Sequence, residues 1–264
     1  MPNAGKMPRM IERERDGQFL VFRIKRPERR NALDMATLGQ LAEYVRAAAT
    51  DRSLRAIVLT GCDGAFASGA DLGDLRSMRT EAEAVRFLEL GRSITFGFAF
   101  LDVPVIAAVN GLAFGGGAEL AFACDLRVAE LRARFCFKHA RLGLAPAWGT
   151  TARLLSLTGA SRALRLLYTA NELSASEAAA HGLVDNVVAN DQSVASALAW
   201  AYDIAQGARG SIAAMKATMR AGVQAFEAAH AEERARFLEL WASPDHEEAL
   251  TAYFERRAPK WAHH

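Results

Sequence analysis

NGLAFGGGAELAFACD (residues 110–125) places three consecutive glycines between a short apolar run and a segment of helical character, with one acid, Glu119, just beyond them. The run before it, VPVIAAV (103–109), is uncharged and rich in β-branched residues, which reads as a buried strand. A strand passing through Gly115, Gly116 and Gly117 into a helix leaves N–H groups without intrahelical partners at the helix start. There the positive end of the macrodipole favours an oxyanion or a phosphate. Missing side chains let a ligand atom touch backbone. No Lys-Ser or Lys-Thr follows and the spacing is not G-x-G-x-x-G, so neither nucleotide motif fits. Close helix-on-sheet packing would also ask for glycines, and this segment alone leaves both readings open.

Working outward, GAFASGADL (64–72) follows the strand-like RAIVLTG (55–61) and again sets small residues and an acid at a strand-to-helix turn. Two such turns side by side would aim two backbone N–H groups at one oxygen. The same alternation of short strands and helices runs from Phe19 to about Val188: FLVFRI, ATLGQLAEYVRAAAT, EAEAVRFLELGRSITFGFAF, LRVAE and RFCF all fit it. From Asp191 onward the pattern is helical, in VASALAWAYDIAQ, SIAAMKATMRAGVQAFEAAHAEERARFLELWAS and PDHEEALTAYFERR. The expected organisation is an α/β core over residues 1–190 and a C-terminal helical region over 191–264 whose apolar stripes need a surface to cover.

Composition narrows the function class. The 264 residues are 51% hydrophobic and 23% charged, ordinary for a globular chain. Thirty-two basic against thirty acidic residues leave a net charge of +2, so no overall field recruits nucleic acid or a membrane. Cys62, Cys124 and Cys136 are odd in number and lack Cys-x-x-Cys spacing, which suggests reduced thiols and no zinc ribbon. The N-terminal MPNAGKMPRMIERERDG lacks the apolar core of a signal peptide, and the longest uncharged run is too short and interrupted to span a bilayer. A soluble cytoplasmic protein is expected.

Five ordered motifs, PERRNAL (27–33), FASGADL (66–72), PVIAAVNGLAFGGGAELAFACD (104–125), LGLAPAWGTTARL (142–154) and AAAHGLVDNVV (178–188), resemble the crotonase family, the enoyl-CoA hydratases and isomerases. The resemblance continues to the C-terminal YFERRAPKW (253–261). It implies a spiral of β-β-α repeats with a C-terminal helical region, assembled as a trimer or as a hexamer of two trimers. It implies an acyl-CoA substrate and no separate cofactor, since CoA is part of the substrate. It also implies that the N–H groups of Ala70 and Gly116 form an oxyanion hole for the thioester carbonyl. Fixed dipoles at a developing enolate are worth roughly 3–4 kcal/mol each.

Glu119 matches the first catalytic glutamate of the hydratases, placed to move a proton beside the carbonyl. Taken alone, an acid in a first helical turn is more often a cap. The second glutamate of that family is absent: His139, in FCFKHARLG, stands at its position. An imidazole, with an ordinary pKa near 6.5, can still exchange protons near neutral pH. The pattern F-x-H-x-x-x-G-x-x-P-x-W-G (137–149) also resembles ethylmalonyl-CoA decarboxylase of the same superfamily. The main expectation is an enoyl-CoA hydratase; decarboxylation of an alkylmalonyl-CoA and double-bond isomerisation are the alternatives.

The basic cluster Lys25, Arg26, Arg29 and Arg30 lies where the resemblance puts the CoA phosphates, with Arg29 and Arg30 the better candidates. By the same resemblance Ala67 and Asp71 shape the adenine pocket and its turn, and Phe254 and Lys260 belong to a tail that reaches CoA. Asp125 reads as structural. A serine peptidase is disfavoured because Ser68 has no G-x-S-x-G elbow and no assignable triad, and an RNA binder because charge is balanced without aromatic-basic interleaving.

Overall fold

The computed structural model describes residues 10–221 and 225–261. The N-terminal residues 1–9, whose lack of an apolar core is noted above, lie outside that range. The chain opens with β1 (Ile11–Asp16), β2 (Phe19–Ile24) and α1 (Met35–Thr50), the helix capped by the Asp34 carboxylate accepting from the Thr37 N–H.

A strand-strand-helix unit then recurs. β3 (Ala56–Thr60) and β4 (Ala65–Ala67) lead to α2 (Leu72–Ser77) and α3 (Glu81–Phe100). β5 (Val105–Val109) and β6 (Leu112–Phe114) lead to α4 (Gly116–Ala123), and β7 (Leu126–Glu130) and β8 (Arg134–Cys136) lead through a 3₁₀ turn at 138–142 to α5 (Thr150–Thr158). The chain continues as α6 (Ala160–Thr169), β9 (Leu173–Ser174), α7 (Ala175–Ala180) and β10 (Asn186–Val188). The helices α8 (Ser193–Ile204), α9 (Arg209–Ala221), α10 (Ala225–Trp241) and α11 (Pro244–Phe254) complete it.

Each repeat gives its first strand to one sheet and its second to another. The six-stranded sheet runs β1-β2-β3-β5-β7-β10 and the four-stranded one β4-β6-β8-β9. Neighbours are parallel apart from the β1–β2 and β8–β9 pairs. This is the β-β-α spiral that the motifs imply.

Both faces of the larger sheet are covered, which explains why its strands read as continuous apolar runs. On one face Leu20, Phe22, Ile57, Leu59, Val105 and Ala107 join the main core with α1 and α3. On the other, Phe19, Val21, Val58, Ile106 and Val128 pack under Ala197 and Ala201 of α8. The first C-terminal helix thus finds its surface on its own sheet.

Two local expectations change. The charged IERERD of the N-terminal segment is an edge strand, β1, antiparallel to β2, with only Ile11 buried and Lys25 paired to Glu12 across the strands. Its charges face solvent, a common protection of a sheet edge. The stretch 211–243, read as one helix, is α9 and α10, with residues 222–224 between them outside the described range. Among the described residues no helix is long and apolar enough to cross a membrane.

Candidate active site

The two glycine-bearing turns lie against each other. Leu33 clamps the first: its N–H donates to the Gly69 carbonyl at 2.8 Å and its carbonyl accepts from the Asp71 N–H at 3.0 Å. Between these bonds the Ala70 N–H has no acceptor among the described residues. Gly69 is left-handed at φ +104°, and a Cβ there would stand 2.9 Å from the Phe114 carbonyl oxygen and 3.7 Å from the Gly116 nitrogen. In the second turn the Gly115 N–H donates to the Cys136 carbonyl at 2.8 Å, and α4 begins at Gly116, whose own N–H has no acceptor among the described residues. Ala70 and Gly116 line one cavity of about 340 Å³ together with Glu119 and His139.

The three glycines turn out to have three different reasons. Gly115 adopts φ 49°, ψ −122°, a conformation closed to residues with a Cβ. Gly116 faces an aromatic ring: a Cβ would lie 2.7 Å from Cζ3 of Trp148. A Cβ on Gly117 would lie 2.1 Å from the Ala67 carbonyl oxygen, so this glycine serves close packing of α4 on β4. Only the first two line the cavity; the third answers to the helix-on-sheet packing that the sequence left open beside ligand approach.

Glu119, in the first turn of α4, is 3% exposed. Its Oε2 accepts from the Thr150 hydroxyl at 2.8 Å, the Trp148 N–H at 3.0 Å and the Ala147 N–H at 3.3 Å. Its Oε1 meets His139 Nε2 at 3.0 Å. Burial alone would raise this carboxyl; the His139 charge and hydrogen bond, the Thr150 hydroxyl and the Trp148 N–H outweigh it and hold the group below the ordinary carboxylate range. An ionised Glu119 requires the His139 proton on Nε2, and Nδ1, buried, has no partner among the described residues. Three donors saturate Oε2, leaving Oε1 as the oxygen with capacity for a proton.

A second carboxylate stands behind this arrangement. Glu233 of α10 accepts from the Gly149 N–H and the Thr151 N–H, both at 2.8 Å. Burial raises its pKa, and the charge of Glu119 adds to the effect. It holds the 147–151 loop that in turn holds Glu119, and it does not line the cavity. The cavity's open end carries the exposed Arg141, Tyr253 and Arg257, the last two from α11 and the tail after it.

Residues 14–264 match the family model described as enoyl-CoA hydratase/isomerase. The short-chain-enoyl-CoA hydratase of Clostridium acetobutylicum is 35% identical over 246 residues, covering 92% of this chain and 94% of that protein. The chain belongs to the enoyl-CoA hydratase/isomerase family. The 2,3-dehydroadipyl-CoA hydratase of Escherichia coli is also 35% identical, covering 93% and 95%. Among solved structures, an enoyl-CoA hydratase/isomerase from Pseudoalteromonas atlantica T6c superposes with a TM-score of 0.85 at 30% identity, covering 96% of this chain and 100% of that one. An enoyl-CoA hydratase from Mycobacterium avium subsp. paratuberculosis gives 0.87 at 26%, covering 96% and 99%.

Ala70, Gly116, Glu119 and His139 converge on one cavity. The CoA-contact residues divide. Arg29 and Arg30 are exposed and have no ion-pair partner among the described residues. Their carbonyls accept from the Ser68 hydroxyl and the Ser68 N–H, which seats their turn on the Ala70 segment. Among the described residues no His bonds to Ser68. Arg26 is instead buried between Asp34 (3.1 Å) and Asp71 (3.2 Å), while the exposed Lys25 pairs with Glu12 at 3.3 Å.

Asp71 caps α2 and pairs with Arg26, and Ala67 is fully buried beneath Gly117. Phe254 carries the Arg76 guanidinium 4.5 Å over its ring, and the Lys260 N–H donates to Glu248. In this tail Tyr253 and Arg257 line the cavity. Asp125 ties the Val105 N–H to Lys216, as its structural reading requires. The three thiols are unpaired, and burial pushes Cys124 up to about 12 and Cys136 up to about 11. Thr150, Trp148 and Glu233 carried no signal of their own in the sequence; the PAWGTT loop stood out only as a motif.

Proposed function

We propose that the protein hydrates a 2-enoyl-CoA. The observation that carries this reading is the pair of unengaged N–H groups, Ala70 and Gly116, on one cavity wall beside the Glu119 carboxylate. The thioester oxygen accepts both N–H groups and takes the charge of the enolate as water oxygen bonds to C3. Glu119 takes the water proton through Oε1 and returns it to C2, so water adds across the double bond with no net proton change. His139 orients Oε1 through its Nε2–H. Arg29 and Arg30, on the turn beside the oxyanion segment, meet the CoA phosphates. No separate cofactor is used. The active assembly is a trimer or a pair of trimers in the cytoplasm, built in part by the helical region 191–264; exposed apolar side chains such as Phe100, Leu164 and Met219 support assembly.

One observation favours a second reading. His139 sits directly on Glu119 at 3.0 Å where the family's hydratases carry a second carboxylate, so a substrate carboxylate would meet no second anion. The same N–H pair would hold the enolate left by departing carbon dioxide, and the Glu119–His139 pair would deliver the proton to it. Incubation with crotonyl-CoA and with ethylmalonyl-CoA separates the two: hydration removes the enoyl absorbance, decarboxylation releases carbon dioxide. His139→Glu, which exchanges the donor on Oε1 for a second carboxylate, should damage decarboxylation more than hydration, because the new anion also faces the substrate carboxylate. Unchanged rates in both assays would remove His139 from the chemistry.

A further inference from the structure

We infer that Trp148 sets the acyl-chain length, closing the deep end of the cavity and restricting the substrate to short chains. The inference rests on the acyl-CoA reading above. The cavity is open at exposed Arg141, Tyr253 and Arg257 and buried at Phe87 (5% exposed), Trp148 (2%) and Phe237 (3%). A chain whose carbonyl sits at Ala70 and Gly116 therefore grows toward an aromatic wall.

Trp148 is held there by two glycines on different helices. A Cβ on Gly91 of α3 would lie 1.8 Å from its Cε2, and one on Gly116 of α4 would lie 2.7 Å from its Cζ3. Phe87 packs at 5.4 Å between ring centroids. The backbone on either side of the ring is pinned as well. The Trp148 N–H donates to Glu119, and the Trp148 carbonyl accepts from the Thr95 hydroxyl and from Arg153, both at 2.9 Å. The indole N–H faces Gly91 and is buried without an acceptor among the described residues. Buried Trp normally finds one, so the ring is placed here for its bulk and not for a hydrogen bond.

Volume sets the scale. A cavity of ~150 Å³ accommodates benzene, so the 340 Å³ here holds about thirteen non-hydrogen atoms. The thioester and the first atoms of the pantetheine arm take roughly half, leaving about six or seven acyl carbons.

The test measures kcat/KM for 2-enoyl-CoAs from four to twelve carbons, and binding of the matching saturated acyl-CoAs by calorimetry, in wild type, Trp148→Phe and Trp148→Ala. Each buried methylene is worth about fourfold in affinity. The eight-carbon to four-carbon ratio should rise about tenfold or more in Trp148→Ala and by less in Trp148→Phe, which keeps a ring and loses no hydrogen bond. Melting temperatures identify a variant that fails to fold, and the Phe variant then carries the test. A ratio unchanged within twofold in both measurements overturns the inference. A wild type that turns over no enoyl-CoA, yet binds saturated acyl-CoAs with a length preference that shifts in the variants, overturns hydration and leaves the role of Trp148 standing.

Discussion

Replacing Glu119 by Gln separates chemistry from architecture at the centre of the site. The amide oxygen can take the place of Oε2 and keep the three donors found there, the Thr150 hydroxyl and the N–H groups of Trp148 and Ala147. The amide N–H₂ then faces His139 Nε2, now 3.0 Å from Oε1, and the imidazole moves its proton to Nδ1 to accept it. What disappears is a charge and the capacity to take a proton. The stability loss is the difference between charge-assisted and neutral hydrogen bonds, about 1 kcal/mol, or roughly 2–4 °C in melting temperature for a domain of this size. Glu119→Ala, by contrast, strands all four donors in a buried site at about 1–3 kcal/mol each, less than additively. Turnover should behave differently. Loss of a general acid-base group costs roughly 10²–10⁴ in rate, about 3–5 kcal/mol of transition-state stabilisation. The assay pairs crotonyl-CoA hydration with thermal unfolding and with binding of a saturated acyl-CoA. Glu119→Gln that unfolds near the wild-type temperature, binds normally and still hydrates at more than a tenth of the wild-type rate would refute the argument and reduce Glu119 to the anchor of the 147–151 loop.

Other perturbations follow from the same geometry. Gly116→Ala drives a Cβ to within 2.7 Å of the Trp148 ring, so it should cost about 1–3 kcal/mol of stability and most of the activity, measured by chemical denaturation and turnover. Because the Glu119 pKa is lowered in the folded state, its stabilisation is present above the unfolded value of about 4.3 and lost as pH falls through the lower folded value; the wild-type melting temperature should fall more steeply than that of Glu119→Gln in that acid window. Arg29→Ala and Arg30→Ala should each raise KM about two- to fivefold in a salt-dependent way, with kcat and melting temperature unchanged. Arg26→Ala, which strands Asp34 and Asp71 in a largely buried cluster, should instead cost roughly 3–5 kcal/mol of stability.

Local chemistry was legible along the chain. FLVFRI is β2 residue for residue, and EAEAVRFLELGRSITFGFAF is α3 with its Thr80 capping box just before it. The α/β alternation, the turns at SGAD and GGGAE and the helix-start acid Glu119 were readable, because strand runs, turn glycines and helix-start acids act over a few residues; Ala70, Gly116 and His139 became candidates only through the resemblance to the crotonase family. The charged N-terminal strand escaped because an edge strand with one buried residue shows almost no apolar periodicity.

Partnerships across the chain were decided only by tertiary structure. Four basic residues stand within six positions in KRPERR, yet the fold sends Arg26 inward to Asp34 and Asp71 and leaves Arg29 and Arg30 in solvent. Nothing in the spacing marks Thr150 and the Trp148 N–H as donors to Glu119, or Glu233 as the clamp on Gly149 and Thr151 from 84 and 82 residues away. Sequence pattern reports which face of an element is apolar; it does not report which element will close on that face. The three adjacent glycines show the division most directly. Their run announces that side chains are unwelcome, but only the packed molecule assigns Gly115 to a backbone angle, Gly116 to the Trp148 ring and Gly117 to the Ala67 carbonyl. At Gly116 and Gly117 the atom that leaves no room for a Cβ belongs to a neighbour brought near by folding.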